Sequence, residues 1–193
     1  LDVALNNLST HDTPRAMTAL CGENPDSTDR YWQSKRFLTA EKYIRAQKLI
    51  VCGFALLFTL PGLPCIYYGD EIGMRYLPGL KSVEGGYDRT GARTPMQWDD
   101  TANAGFTAGT PWLKVNPNYP HLNVAQQERD EHSVLNYYKR LLALRKSEGY
   151  REIFTYGDFT PLFETEENIL AYRRNLEGKD VIVVANFGRV ECC

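Results

Sequence analysis

The sequence has few features of a disulfide-bonded or metal-binding protein. Its five cysteines are odd in number, and they form neither a CxxC pair nor a metal-ligand spacing. Three of them, Cys21, Cys52 and Cys65, lie within or beside apolar runs, which is typical of small buried side chains. We therefore predict reduced thiols and a cytoplasmic setting.

Two further absences concern charge and membranes. The formal net charge is −2, so the sequence predicts no binding surface for nucleic acid or anionic membranes. The apolar run 49–60 is too short to span a bilayer and ends at Pro61, so we interpret it as a buried core helix. The chain begins at Leu1 without an initiator methionine or a signal pattern, and we expect it to be part of a longer protein.

The apolar pattern that is present is typical of an α/β domain. It predicts a helix over residues 40–60 with Thr39 as its N-cap, and then a buried strand over 63–68. Strand, loop, helix and strand in this order form a βαβ unit with parallel strands, whose polar loops open on one edge of the sheet. A further helix is predicted over 130–146.

The pattern changes after Gly149. Short runs rich in β-formers predict strands over 152–156, 162–164, 169–174 and 181–187, with a hairpin connection over 175–180. We place a domain boundary near residue 148. Residues 1–148 then form the α/β part, and residues 149–193 begin an antiparallel β domain.

The segment Ser9–Arg15 carries an imidazole at His11, a carboxylate at Asp12 and a guanidinium at Arg15 directly after a strand-like lead-in. Alone, it fits a turn capped by Asp12 as well as it fits a site. A second acidic loop, Asp70-Glu71, follows the predicted strand 63–68 and should open on the same edge of the sheet.

Residues 75–127 contain no long periodic segment, and a loop of this length is typical of a functional site. Arg89 and Arg93 in this loop suit hydrogen bonds to polar ligand groups, and Trp98 suits stacking on a sugar face or an aromatic ring. The alternative is that the arginines pair with nearby aspartates, Asp88, Asp99 or Asp100, and only pin the loop.

Four segments in this order resemble the α-amylase family of glycoside hydrolases, family 13: residues 10–15 (THDTPR), 61–74 (PGLPCIYYGDEIGM), 93–99 (RTPMQWD) and 103–106 (NAGF). Their combination is most similar to the branch of α-glucosidases, oligo-1,6-glucosidases and trehalose synthases. The resemblance implies a TIM (β/α) barrel followed by a β-sandwich, of which this chain holds the last two β/α units and the sandwich start. A whole barrel takes roughly 250 residues, so the upstream part of the same barrel is required.

The resemblance also implies roles for individual residues. Asp12 matches the carboxylate that stabilises the transition state, His11 a residue that binds a neighbouring hydroxyl, and Arg93 an arginine that binds the terminal glucose. Hydrogen bonds to ring hydroxyls strengthen in such a transition state. Thr10 stands where family members commonly have asparagine. The further candidates are Arg15, Tyr68, Glu71 and Trp98.

In this family the nucleophile and the acid/base carboxyl belong to earlier strands, and no residue of this chain matches them. We therefore expect a retaining hydrolase of short α-glucans or α-glucosides in the full-length protein and no activity of this chain alone, with no cofactor and no metal site. The alternatives are a trehalose-synthase-like transglycosylase and a non-catalytic barrel that serves as a scaffold, as in amino-acid-transporter heavy chains. The isolated chain should expose the apolar faces of residues 49–60 and self-associate.

Overall fold

The computed structural model describes residues 4–21, 40–81, 89–163, 165 and 167–188. The helices and strands of these residues, in chain order, are β1 (Leu5–Asn6), α1 (Ala16–Leu20), α2 (Ala40–Thr59), β2 (Leu63–Pro64), α3 (Val124–Arg129), α4 (Val134–Lys146), α5 (Arg151–Tyr156), β3 (Asp158–Leu162), β4 (Ile169–Leu176) and β5 (Lys179–Asn186). Short 3₁₀ turns lie at Asp70–Ile72, Thr90–Ala92 and Ala102–Gly105. The chain divides into two compact units: Leu1–Asn7, Val51–Cys65 and Tyr138–Cys193 form the first, and Leu8–Ile50 and Ile66–Tyr137 form the second.

The predicted parallel pairing of β1 and β2 is confirmed in the first unit. Leu5 pairs with Leu63, and Asn6 with Pro64. The strand is shorter than the predicted 63–68, and the side chains of Leu5 and Leu63 are 60% and 57% exposed. The predicted burial of this strand is therefore wrong, because a two-stranded pair covers little of either face.

The predicted helix over 40–60 is confirmed as α2, which ends at Thr59 just before the Pro-Gly dipeptide. The proline cannot continue the hydrogen-bonded ladder, which explains where the helix ends. The predicted cap, Thr39, lies outside the described residues. No helix in the described part of the chain is both long and apolar enough to cross a membrane.

The apolar face of α2 is covered in the first unit. Phe54 and Phe58 are buried, and each packs edge-on against Tyr138 of α4 with ring centroids 5.4 Å apart. Every residue of 49–60 is buried or half-buried. The expectation that this segment exposes its apolar faces is wrong, because α4 supplies the aromatic partner.

Helix α4 begins at Val134, later than the predicted start at Asp130, and a separate capped helix, α3, precedes it at 124–129. Asn123 caps α3 by accepting the N–H of Gln126 at 2.8 Å. The Ser133 hydroxyl accepts the N–H of Asn136 at 3.2 Å in the first turn of α4. These side chains satisfy N–H groups that have no partner at a helix start.

The C-terminal strands form an antiparallel sheet in the order β3-β4-β5, as predicted. The hairpin between β4 and β5 is confirmed, since Glu177 and Gly178 have φ values of 51° and 80°, as a two-residue type I′ turn requires. Strand β3 ends at Leu162, where the predicted strand begins. Phe163 has a φ of 52°, a left-handed conformation that ends the extended backbone.

The predicted strand over 152–156 is wrong, because these residues form helix α5. Ile153 and Phe154 are consecutive and both buried, whereas a strand would point them to opposite faces. Phe154 also stacks on Tyr150 at 5.9 Å between ring centroids. Burial in tertiary structure has therefore overridden the β propensity of the segment.

The cysteine prediction is confirmed in part. Cys21 is buried and Cys52 half-buried, but Cys65 is exposed, because it follows the short strand β2 at the surface. None of the three forms a disulfide bond.

Candidate active site

The site begins with a turn in the second unit that presents Asp12. The N–H of Thr13 donates to the carbonyl of Thr10 at 3.4 Å, and the N–H of Thr10 donates to the Thr13 hydroxyl at 2.8 Å. The Thr10 hydroxyl accepts the N–H of Asp12 at 3.2 Å. Two threonines thus close the turn, and the Asp12 carboxylate points to other partners.

Those partners are two arginines from a distant part of the sequence and the adjacent histidine. Arg89 Nη1 lies 2.5 Å and Arg93 Nη2 lies 2.9 Å from Asp12 Oδ1, and His11 Nε2 lies 3.1 Å from Oδ2. The pKa of Asp12 is lowered, first by the hydrogen bond from Arg89 and further by the charge of His11. The Asp12 side chain is 48% exposed, so a ligand can reach this carboxylate.

The structure thus brings together His11, Asp12 and Arg93, which the sequence indicated. It also brings Arg89 to Asp12, where the sequence left open whether Arg89 binds a ligand or pairs with a nearby aspartate. Both arginines donate a hydrogen bond to the Asp12 carboxylate. Residues 86–88 of the loop motif lie outside the described residues.

The backbone on both sides of Arg93 is held by two adjacent tyrosines. The hydroxyl of Tyr67 donates to the carbonyl of Ala92 at 3.1 Å, and that of Tyr68 donates to the carbonyl of Thr94 at 2.9 Å. Arg93 Nε in turn donates to the His11 carbonyl at 3.1 Å. Tyr67 and Tyr68 therefore fix the position from which Arg93 meets Asp12.

Arg15, a candidate from the sequence, lies fully buried behind these tyrosines. Its guanidinium carbon is 4.9 Å from the ring centroid of Tyr67 and 4.7 Å from that of Tyr68, and its Nη1 donates to the Tyr68 carbonyl. Gly69 has a φ of 89°, and a Cβ there would meet Arg15. This arrangement suits a supporting role, because the arginine has no exposed surface with which to meet a ligand.

The interior of the site also contains the carboxyl groups of Asp70 and Glu71. The Ser9 hydroxyl donates to Asp70 Oδ2 at 2.5 Å. Burial raises the pKa of Asp70 to about 6, against the opposing effects of the Ser9 hydrogen bond and the Arg15 charge. Burial also raises the pKa of Glu71, whose Oε2 is buried without a hydrogen-bond partner among the described residues.

A cavity of about 450 Å³ adjoins Arg93, and we call it the aromatic cavity. The residues that define it here are the aromatic Tyr68, Trp98, Phe106 and Trp112 and the charged Glu71 and Arg93. Trp98, a sequence candidate, is 49% exposed on its wall. Among the residues that the structure describes, no group of three or more histidine, cysteine, aspartate or glutamate side chains is placed to hold a metal ion.

The raised pKa of Asp70 predicts a pH dependence of stability. The folded chain binds the Asp70 proton more tightly than the unfolded chain does, so the free energy of unfolding should fall as pH rises from about 4 through about 6. A shift of this size corresponds to about 3 kcal/mol. Asp70→Asn should remove this part of the fall, as measured by urea unfolding across that range. Wild-type and variant curves that run parallel with pH would contradict the prediction.

Comparisons with known proteins agree with this geometry. The model of the family described as alpha amylase, catalytic domain, matches residues 3–157. The chain is 35% identical to an oligo-1,6-glucosidase of Parageobacillus thermoglucosidasius over 93% of its own length and 33% of the relative's, and 34% identical to a trehalose-6-phosphate hydrolase of Escherichia coli over 69% and 29%. The solved trehalulose synthase MutB from Pseudomonas mesoacidophila aligns with a TM-score of 0.71 and 29% identity over 96% of this chain and 34% of that one.

The chain therefore spans about a third of the length of the curated relatives it matches. The family model covers most of the chain, and the solved relatives support an α/β fold. The relatives' printed names include both glucoside hydrolases and a synthase. From the family match and the identities together, the chain belongs to the α-amylase catalytic-domain family, in its α-glucosidase-like group.

Proposed function

We propose that this chain is the part of a retaining α-glucoside hydrolase that holds the terminal glucose of a short α-glucan. The observation that carries the proposal is the exposed Asp12 carboxylate, held between Arg89 and Arg93 beside His11. Asp12 stabilises positive charge that develops on the sugar ring, His11 binds a neighbouring hydroxyl, and Arg93 binds the terminal glucose. Tyr68, Glu71 and Arg15 shape and support this pocket.

The architecture of the proposal is a (β/α) barrel. Strands β1 and β2 are the last two barrel strands, residues 1–148 with the loop 75–127 form the barrel part, and residues 149–193 begin the β-sandwich. The parallel register of Leu5 with Leu63 and the antiparallel sheet β3-β4-β5 support this assignment. We place the protein in the cytoplasm, which suits the three described cysteines, none of which forms a disulfide bond.

Two roles are assigned to the upstream part of the barrel, namely the nucleophile and the acid/base carboxyl, which lie about 5 Å apart in retaining enzymes. This chain alone should therefore leave a chromogenic α-glucoside intact. Turnover by the purified 193-residue chain, abolished by Asp12→Asn, would contradict the assignment of the nucleophile and the acid/base carboxyl to the upstream part of the barrel.

The function is tested through Arg93 in the full-length parent. Arg93→Lys keeps the charge but replaces the planar guanidinium by a point-like ammonium, so it cannot reproduce the geometry in which Nε donates to the His11 carbonyl while Nη2 donates to Asp12. We expect KM for p-nitrophenyl α-glucopyranoside to rise by about tenfold or more, since charged hydrogen bonds contribute about 1.5–3 kcal/mol. Arg129→Lys, on α3, is the matched control and should leave KM unchanged.

An unchanged KM in Arg93→Lys would show that Arg93 does not bind the glucose. Retention at the anomeric carbon, followed by NMR on maltose, tests the reaction class. Inverted product, or no reaction with any α-glucoside, would overturn the proposal and favour a binding or scaffold role.

Transglycosylation is the second candidate, and the likeness to a trehalulose synthase favours it. It uses the same sugar-binding residues as hydrolysis. The two reactions differ in whether a sugar hydroxyl or water attacks the glycosyl intermediate. Analysis of the products formed from maltose and sucrose separates the two: free glucose indicates hydrolysis, and new disaccharides indicate transfer.

A further inference from the structure

We propose that Asp70 is a positioning residue, because its carboxylate holds both ends of the loop that carries His11 and Asp12. This inference rests on the proposed function and deepens it, since it names a residue that acts on the reaction through Asp12. Asp70 lies in the 3₁₀ turn Asp70–Ile72 and is 1% exposed, whereas the Asp12 side chain is 48% exposed. A ligand therefore reaches Asp12 but not Asp70.

The loop begins at Ser9 and ends at Ala16, the first residue of α1. Ser9 is 3% exposed, and its hydroxyl donates to Asp70 Oδ2 at 2.5 Å. The backbone N–H of Ala16 stabilises the ionised form of the same carboxylate through a hydrogen bond. Arg15, which precedes α1, gives the helix no side-chain cap of its own. One buried carboxylate thus joins the first and last residues of the loop.

Two further contacts tie the end of the loop to the segment around Asp70. Arg15 donates to the Tyr68 carbonyl, and the Thr18 hydroxyl accepts the N–H of Tyr76 at 2.8 Å. Both contacts act at or after residue 15. Within the described part of the chain, the start of the loop therefore depends on Asp70.

The strength of this hold depends on the charge of Asp70. Burial raises the pKa of its carboxyl to about 6, against the Ser9 hydrogen bond. The charged groups that act on it are Arg15, which lowers the pKa, and Glu71, which raises it. Oδ1 has no hydrogen-bond partner among the described residues, so a proton can bind there while Oδ2 keeps its contact. Protonation should still loosen the loop, because a charged acceptor binds its donors about twice as strongly as a neutral one.

The buried charge of Asp70 is unfavourable for stability at neutral pH. The folded chain binds the proton more tightly than the unfolded chain, so ionisation costs stability above about pH 6. A group that costs stability where the neutral asparagine would fit is a candidate for a functional role. Asp70→Asn should therefore be at least as stable as the wild type at neutral pH. A lower kcat of this variant then cannot come from unfolding.

The test compares kcat of the full-length parent and of its Asp70→Asn variant on p-nitrophenyl α-glucopyranoside across pH. The wild type should be faster by about fivefold at about pH 7.5, since small misplacements of catalytic groups are costly. At about pH 5, where Asp70 is mostly protonated, the two should agree within about twofold. Ionisations that both enzymes share, including that of His11, cancel in the ratio of the two kcat values.

Two further variants separate positioning from a general effect of substitution. Ser9→Ala removes the donor at the other side of the contact and should also lower kcat at neutral pH, and adding Asp70→Asn should lower it little further. Asp130 is the matched control, because it is an exposed carboxylate that accepts a backbone N–H, from His132 at 2.9 Å, between α3 and α4. Asp130→Asn should keep the wild-type kcat at both pH values.

Hydrogen exchange by NMR on the 193-residue chain tests the loop without any reaction. The amides of Asp12 and Thr13 are hydrogen-bonded within the turn, and their protection at neutral pH should fall by about threefold or more in Asp70→Asn. The amides of the β4–β5 hairpin are the internal control and should be unchanged.

A kcat ratio that is the same at about pH 5 and about pH 7.5 would overturn the proposal, whatever its size. If the wild-type parent hydrolyses no α-glucoside, the proposed function fails, and the exchange measurement then decides alone. Equal protection of Asp12 and Thr13 in the wild type and in Asp70→Asn would show that Asp70 does not hold the loop.

Discussion

Asp12→Asn in the full-length parent should lower kcat for an α-glucoside by about three orders of magnitude, because the hydrogen bonds and charge that strengthen at the oxocarbenium-like transition state supply several kcal/mol. Asparagine keeps the shape of the side chain but removes the negative charge. The Arg89 and Arg93 guanidiniums, 2.5 and 2.9 Å away, would then face the developing positive charge of the sugar without their counter-ion.

The Asp12 carboxyl stays ionised at neutral pH, because its pKa is lowered. The pKa of its carboxyl lies below the usual value, chiefly because Arg89 donates a hydrogen bond to it. The role proposed for Asp12, which is to act as a charge and not as an acid, needs this property. The kcat of the parent should therefore show no ionisation that can be assigned to Asp12 in the neutral range.

A matched control separates this effect from the loss of any surface ion pair. Asp180 is also about half exposed and faces an arginine, Arg173, at 3.9 Å, in the antiparallel sheet of the first unit. Asp180→Asn should leave kcat within about twofold, since exposed ion pairs contribute little. A kcat of Asp12→Asn within tenfold of the wild type, with the circular dichroism unchanged, would remove Asp12 from the catalytic machinery.

The parts of the fold that the sequence predicted depend on local signals. The parallel pairing of β1 with β2 follows from a βαβ pattern, and the hairpin at Glu177-Gly178 follows from turn chemistry. The helix α2 follows from a 3.6-residue period and ends at a proline. Each strand, helix and turn is indicated by the residues that form it, and the order of these elements along the chain then indicates the parallel pairing.

The parts that the sequence missed depend on contacts between distant residues. The pairing of Arg89 with Asp12 joins residues 77 positions apart, and the hydroxyl of Tyr68 reaches a carbonyl 26 positions away. Nothing local distinguishes these side chains from an ordinary loop arginine or a core tyrosine. Helix α5 was missed for the same reason, because the burial of Phe154 is decided by tertiary packing.

Arg174 is a further residue whose importance only the structure reveals, and its removal should have a large effect on stability. The side chain is 1% exposed in strand β4. Its Nη1 donates to the carbonyl of Thr59 at 2.6 Å, and its Nη2 donates to the carbonyl of Gly157 at 2.8 Å. Thr59 ends α2 and Gly157 follows α5, so one guanidinium satisfies carbonyls at the ends of two helices, where positive charge is favourable.

Arg174→Ala should lower the free energy of unfolding by about 3 kcal/mol or more, because it leaves two buried carbonyls without donors and opens a cavity. The neighbouring Arg173 is the matched control: its side chain is 45% exposed and lies 3.9 Å from Asp180. Arg173→Ala should change the free energy of unfolding by less than about 0.5 kcal/mol.

Urea unfolding of the 193-residue chain measures both variants under the same conditions. Arg174→Met adds a further comparison, since methionine refills much of the volume but donates no hydrogen bond. If the hydrogen bonds to Thr59 and Gly157 carry the stability, Arg174→Met should remain well below the wild type. A methionine variant as stable as the wild type would show that Arg174 contributes through its packing alone, since the two helix ends would then tolerate the loss of their donor.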